Sequence, residues 1–300
     1  MARLFLSTHS GSPDASLVSE PTGPVVVRAA DVQNGGRMLP TVVYSPPGPG
    51  PFPLVAFAHG YASVPLRYDR MLRGWAAAGF EVVAPASPGL APGLGPLNNA
   101  AQASQPSDVS AAISAVLFSG TVDPSRIAVV GHSDGGSSVA AMALDPAYRD
   151  PRVAAWVVLS GQIGVFPGGY GPSNSGPMLV MVGDNDEFGN WPSTKRAYDV
   201  AASPKAFIAI HGGRHIDPFI DQTPQASAVR VSIIDFLQAT LNHTDWSAFA
   251  AIAASHGLAL TTAGAPPPTP PVTTTIPSPT TTTPSTTTST TTPATTTTTM

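Results

Sequence analysis

The stretch RIAVVGHSDGGSSVAAMAL, Arg126 to Leu144, leaves this chain few options. An apolar, β-branched run reads as a buried strand, and it stops at Gly131-His132-Ser133-Asp134-Gly135. Small residues at helical spacing follow at once. A strand that reverses abruptly into a helix puts one residue of the hinge in a cramped backbone conformation, and glycines two before and two after leave room for it. The pentapeptide fits G-x-S-x-G. It lifts the Ser133 hydroxyl to the edge of a sheet, at a helix amino terminus. A serine that merely caps the helix is the plainer explanation, but the strand before and the helix after supply the context of an exposed nucleophile.

The rest of the chain up to about residue 260 alternates in the same way. Strands are expected near Val25–Ala29, Thr41–Ser45, Leu54–Ala58, Glu81–Ala84, Arg126–Val130, Val153–Leu159, Met178–Val182 and Ala206–His211. The later ones are nearly continuous in Val, Ile, Leu and Ala, as strands buried on both faces should be. Helices are expected at Tyr68–Ala78, Asp108–Phe118, Gly136–Leu144, Pro192–Ala201 and Gln225–Thr240. The implied fold is α/β: a mostly parallel central sheet, antiparallel at its start, flanked by helices. Three regions follow: an N-terminal extension (1–22), an α/β domain (23–260) and a Thr/Pro-rich tail (261–300).

In open α/β sheets ligands bind outside the carboxyl ends of the strands. A serine hydroxyl there is a poor nucleophile until a base takes its proton and a third group holds that base. Strand MLVMV runs into Gly183-Asp184-Asn185-Asp186-Glu187, and strand AFIAI into His211-Gly212-Gly213-Arg214-His215. Serine, acid, histidine is the chain order this architecture demands. Asp184, Asp186 and Glu187 are candidates for the acid, His211 and His215 for the base. His211 still belongs to its strand, where a structural histidine is the commoner outcome. The backbone N–H after the nucleophile, that of Asp134, is one expected donor to the oxyanion of a tetrahedral intermediate.

From about Thr41 to Leu241 the sequence resembles the α/β-hydrolase superfamily. PFPLVAFAHGYAS, YDRMLRGWAAAGFEVVAP and DPSRIAVVGHSDGG look like the branch that holds dienelactone-hydrolase-like esterases, platelet-activating-factor-acetylhydrolase-like and chlorophyllase-like enzymes, and bacterial cutinases. The resemblance implies an α/β-hydrolase fold and a serine esterase. Its Gly-x-x-Asp pattern falls on Asp186 and its Gly-x-x-His pattern on His215. It also makes the N–H of Tyr61, after His59-Gly60, the second oxyanion donor, with the ring as a wall of the groove. His59 would brace that turn and His132 would pack beside the nucleophile. An apolar residue is common at position 134 in the polyester-cleaving members, so the Asp134 carboxyl is expected to face away with only its N–H engaged. Trp191 and the loop Ser87–Ala103 lie past strand ends, where they line the groove or serve as ordinary packing and surface.

In this superfamily large lids commonly follow the strand that here ends at Leu159. Residues 160–176, SGQIGVFPGGYGPSNSG, are short, Gly/Pro-rich and without helical period. An open site follows, suited to accessible esters, with polyesters as a cutinase-like possibility. The alternatives are a peptidase or acyltransferase using the same residues, or a binding module on a hydrolase scaffold.

Composition closes other routes. There is no cysteine, hence no disulfide, thiolate zinc site or cysteine nucleophile. No histidine–carboxylate cluster has metal spacing, so neither metal nor cofactor is expected. The net charge of −4 comes without a Lys/Arg run, which makes nucleic acid a poor partner. No apolar run reaches the roughly 20 residues that span a bilayer. The amino terminus is weak as a secretory signal, but a Thr/Pro tract of this kind usually serves as a linker or stalk outside the cytoplasm. A secreted or cell-surface protein, tethered through its tail, is the expectation.

Overall fold

Two glycines decide how the sheet begins. Gly35 and Gly36 both have left-handed backbones, φ 55° and 79°, the requirement of a two-residue hairpin turn whose twist matches its strands. They join β1 (Val26–Asn34) to β2 (Arg37–Ser45), an antiparallel pair longer than the apolar runs alone indicate. The computed structural model describes residues 24–174, 176–255 and 258–264. The expected extension (1–22) and residues 265–300 of the expected tail lie outside the described residues.

Seven further strands complete one sheet: β3 (Phe52–Ala58), β4 (Glu81–Pro85), β5 (Val122–His132), β6 (Ala155–Leu159), β7 (Met178–Gly183), β8 (Lys205–Ile210) and β9 (Ala259–Ala263). Their order is β1-β2-β4-β3-β5-β6-β7-β8-β9. The block from β4 to β8 is parallel, and β1, β2 and β9 run against it. The sheet is therefore antiparallel at both edges, not only at its start. The last edge is β9, where Thr261, Thr262 and Ala263 pair with β8; the folded domain thus extends past the boundary expected at residue 260.

Helices cover both faces: α1 (Asp69–Ala77), α2 (Gln105–Phe118), α3 (Asp134–Leu144), α4 (Trp191–Val200), the short α5 (Asp217–Ile220), α6 (Pro224–Leu241) and α7 (Trp246–Ser255). Alternate residues of each strand point to opposite faces. Val55 and Phe57 of β3 accordingly join the cluster containing Trp75 and Phe236 from α1 and α6, while Leu54 and Ala56 join the one containing Ile113 and Met142 from α2 and α3. Burial on both faces explains the unbroken apolar runs of Ile127–Val130 in β5 and of β6 and β7. No helix interrupts the described residues between Leu159 and Met178, so no large lid roofs the sheet's carboxyl edge. Among the described residues no helix is long and apolar enough to cross a membrane.

Candidate active site

At the end of β5 the chain turns sharply. Ser133 has φ 58° and ψ −121°, a conformation that costs a side-chain-bearing residue about 1–3 kcal/mol unless its surroundings enforce it. Here they do. The Ser133 N–H donates to the Leu159 carbonyl (2.9 Å), and the Ser133 carbonyl accepts from the Ser137 N–H (2.8 Å). The flanking glycines are needed for close approach. A β-carbon on Gly131 would lie 2.2 Å from the Gly135 carbonyl oxygen, and one on Gly135 would lie 2.0 Å from that of Ala58. Any larger residue would push strand, turn and helix apart.

Ser133 Oγ lies 2.9 Å from His215 Nε2, and His215 Nδ1 lies 2.8 Å from Asp186 Oδ2. Three side chains from the ends of β5, β7 and β8 thus form one hydrogen-bonded relay. Asp186 is buried, which alone would raise its pKa. The bond to His215, the charge on that ring and the Phe188 N–H (3.0 Å from Oδ1) outweigh burial and hold the carboxyl below the usual range. It is an anion at neutral pH, as a partner for an imidazolium must be.

The competing candidates are placed elsewhere. Asp184 accepts from His211 Nδ1 (2.9 Å) and from the Gly212 N–H (2.6 Å), and the His211 side chain is 95% exposed. That pair belongs to the surface. Glu187 is also spoken for: its carboxylate accepts from Arg214 and from the His215 backbone N–H, both at 2.9 Å.

His59 and His132 are buried braces. His59 Nδ1 donates to the Gly60 carbonyl (2.8 Å) while Nε2 accepts from the Ser87 N–H (3.0 Å), tying the turn after β3 to the end of β4. Burial depresses its pKa to about 4. His132 Nε2 donates to the His215 carbonyl and Nδ1 accepts from the Tyr68 hydroxyl, each at 2.9 Å. Burial, with the charge of the His215 ring, pushes its pKa down to about 3.

The relay opens into a cleft of about 860 Å³. A β-carbon on Gly60 would meet Ser133 Cβ at 3.0 Å, so the turn carrying Tyr61 lies directly against Ser133. Tyr61 lines the cleft and is partly exposed. Asp134 opens α3, so its N–H is one of those that a first helical turn leaves without an intrahelical acceptor. Asp134 lines the cleft, and burial raises the pKa of its carboxyl while the charge on the His215 ring lowers it. The loop Ser87–Ala103 contributes Asn99, Ala100 and Gln102 to the wall. Trp191 instead packs edge-on against Phe207, 5.4 Å between ring centres.

Several wall residues had no signal in the sequence. Phe188, 68% exposed, sets its ring edge-to-face on His215 at 4.6 Å. The buried Asn190 donates to the Ser160 carbonyl (3.1 Å) and accepts from Gln162, fastening the loop after β6 beside the relay. These residues sit in loops, where no periodicity marks an inward side chain. Among the described residues no three His, Asp or Glu side chains converge as a metal site.

The family description matching this chain is that of chlorophyllase, over residues 23–173. The chain belongs to the chlorophyllase family. That match contains β1 to β6 and the serine elbow; Asp186 and His215 lie beyond it. The chain is 28% identical over 155 residues to the uncharacterised protein YfhR of Escherichia coli, strains O157:H7 and K12. The similar segment is 45% of this chain and spans about half, 53%, of those relatives. Among solved structures it is similar to a protein assigned as a dienelactone hydrolase from Klebsiella pneumoniae (TM-score 0.58, 14% identity, 72% of this chain and 99% of that one). It is also similar to a puromycin-hydrolyzing peptidase of Mycobacterium tuberculosis (0.56, 20%, 72% and 39%) and to 2,6-dihydroxy-pseudo-oxynicotine hydrolase (0.58, 17%, 72% and 68%). At such identities these likenesses establish the α/β-hydrolase fold.

Proposed function

We propose that this protein is a serine hydrolase that cleaves carboxylic esters through an acyl-enzyme. The observation that carries the reading is the unbroken relay Ser133–His215–Asp186 at a strained elbow, open to a cleft. His215 Nε2 takes the hydroxyl proton as Ser133 Oγ bonds to the ester carbonyl carbon. The carbonyl oxygen becomes an oxyanion, met by the N–H groups of Tyr61 and Asp134; each such donor is typically worth about 3 kcal/mol of barrier. Asp186 keeps the proton-bearing Nδ1 of His215 in place and stabilises the imidazolium. The tetrahedral centre collapses, the carbon–oxygen bond breaks, and the alcohol leaves with the proton from Nε2. Water repeats the sequence on the acyl-enzyme, releasing the acid and restoring the serine.

Access favours chain-like or bulky esters. Among the described residues no lid helix follows β6, and Tyr61, Val165 and Phe188 present exposed apolar surface along the cleft. A cutinase-like action on polyesters agrees with such a rim. The test is hydrolysis of p-nitrophenyl butyrate and its p-nitroanilide analogue, then of an amorphous polyester film. Release of nitrophenol without nitroaniline supports an esterase over a peptidase. Soluble acid from the film supports the polyester reading, and an untouched film removes it.

A further inference from the structure

Sheet order sorts the cleft into two flanks. Ser133 stands at the end of β5; the segments after β3 and β4 lie to one side of it, and those after β6, β7 and β8 to the other. The second flank carries His215, Phe188, Val165 and Gln162. The leaving oxygen must come within hydrogen-bond reach of His215 Nε2 to receive its proton, so the alcohol portion occupies that flank. The first flank is left for the acyl chain, and its wall has a different chemistry: Asn99, Gln102 and the guanidinium-bearing Arg67.

The charges on that wall are unequal in what holds them. Glu187, across the cleft, is neutralised by Arg214 and the His215 N–H. Burial raises the pKa of the Asp134 carboxyl against the opposing charge of the His215 ring, and it makes no ion pair with Arg67. Arg67 sits in the 3₁₀ turn Pro65–Tyr68, exposed, and no carboxylate stands within salt-bridge distance of its guanidinium among the described residues. The arginines at 28, 37, 73, 126, 152 and 214 each have an acidic partner; of those at 67, 70, 149, 196 and 230, which have none among the described residues, Arg67 is the one that lines the cleft. A guanidinium without an acidic partner, on the wall of a reactive cleft, is arranged for a planar anion that arrives with the substrate.

We propose that the acyl side of the cleft binds a carboxylate through Arg67, so that the preferred substrates are half-esters of dicarboxylic acids, with the free carboxylate at the far end of the acyl chain. This inference rests on the serine esterase reading above and adds the substrate class. The alcohol is released on the Phe188 side, and a free dicarboxylic acid is the second product. The reaction that supplies such a substrate is the partial hydrolysis of a diester or polyester.

The experiment compares monobutyl succinate, glutarate and adipate with analogues whose far carboxyl is capped as the neutral N-methylamide, reading released butanol. The expected result is a kcat/KM preference for at least one free acid of about fivefold or more, the scale of a partly exposed ion pair. The preference should shrink as salt is raised, vanish in Arg67→Gln and persist in Arg67→Lys. Equal rates for acid and amide at every length, or a preference unchanged in Arg67→Gln, overturn the proposal. So does a protein that labels at Ser133 with a fluorophosphonate and hydrolyses p-nitrophenyl butyrate but releases no butanol from the free acids. Absence of both labelling and butyrate hydrolysis is a different failure, that of the esterase reading itself.

Discussion

His132 donates its Nε2 proton to the backbone carbonyl of His215, 2.9 Å away, so the residue before Ser133 holds His215 from behind. The two rings lie 4.8 Å apart, and Phe219 closes the far side of His132 at 4.9 Å. Because Nδ1 accepts from the Tyr68 hydroxyl, the tautomer is fixed and the ring is neutral. The imidazole of His132 is a strut between the two halves of the relay.

Replacement of that strut should therefore cost both stability and rate. His132→Leu removes a buried hydrogen-bond partner from both the Tyr68 hydroxyl and the His215 carbonyl, which is worth about 1–3 kcal/mol of stability. The small displacement of His215 that follows should lower kcat on p-nitrophenyl butyrate by about 10- to 100-fold, with KM little changed. Urea unfolding and steady-state kinetics check the two effects separately. Wild-type kcat in a destabilised variant would contradict the strut.

The buried neutral histidines also set an acid limit. His59 and His132 have folded pKa values depressed from 6.5 to about 4 and about 3, so the unfolded chain binds their protons first. The stability they represent is fully present above pH 6.5. It is lost as pH falls toward 4, by about 1.4 kcal/mol per pH unit for each group. Denaturant unfolding between pH 6.5 and 4.5 should show a falling free energy with a slope near two protons. A flat profile would mean that these rings are not buried as neutral groups.

The acid assignment can be tested by a contrast within one loop. Asp186→Asn removes the charge that orients His215 and should lower kcat about 10⁴-fold. Asp184→Asn alters only the exposed contacts with His211 and the Gly212 N–H and should change activity less than about twofold. The reverse ranking would transfer the role to Asp184.

How much of this was legible depended on where each residue sits. Strands buried on both faces announce themselves, which is why β3 to β8 were recognisable from their apolar runs. A hydrolase elbow needs its two glycines and its flanking strand and helix, and so Ser133 could be read directly. The acid and base needed the chain order of strand ends together with the family's spacing, since Asp184, Asp186 and Glu187 are chemically equivalent until packing separates them. The edge strand β9, ALTTA, has Thr on an exposed edge and merges in composition with the Thr/Pro tract that follows it. The helix α7, WSAFAAIAAS, is apolar nearly all round and offers no helical stripe.

Treatment of the folded protein with a fluorophosphonate probe, followed by peptide mapping, asks directly whether a serine hydroxyl has been made nucleophilic. The expected outcome is a single covalent tag, on the peptide containing Ser133, absent in Ser133→Ala and strongly slowed in His215→Ala. An untagged Ser133 in well-folded protein, or a tag that forms equally fast without His215, would contradict the account.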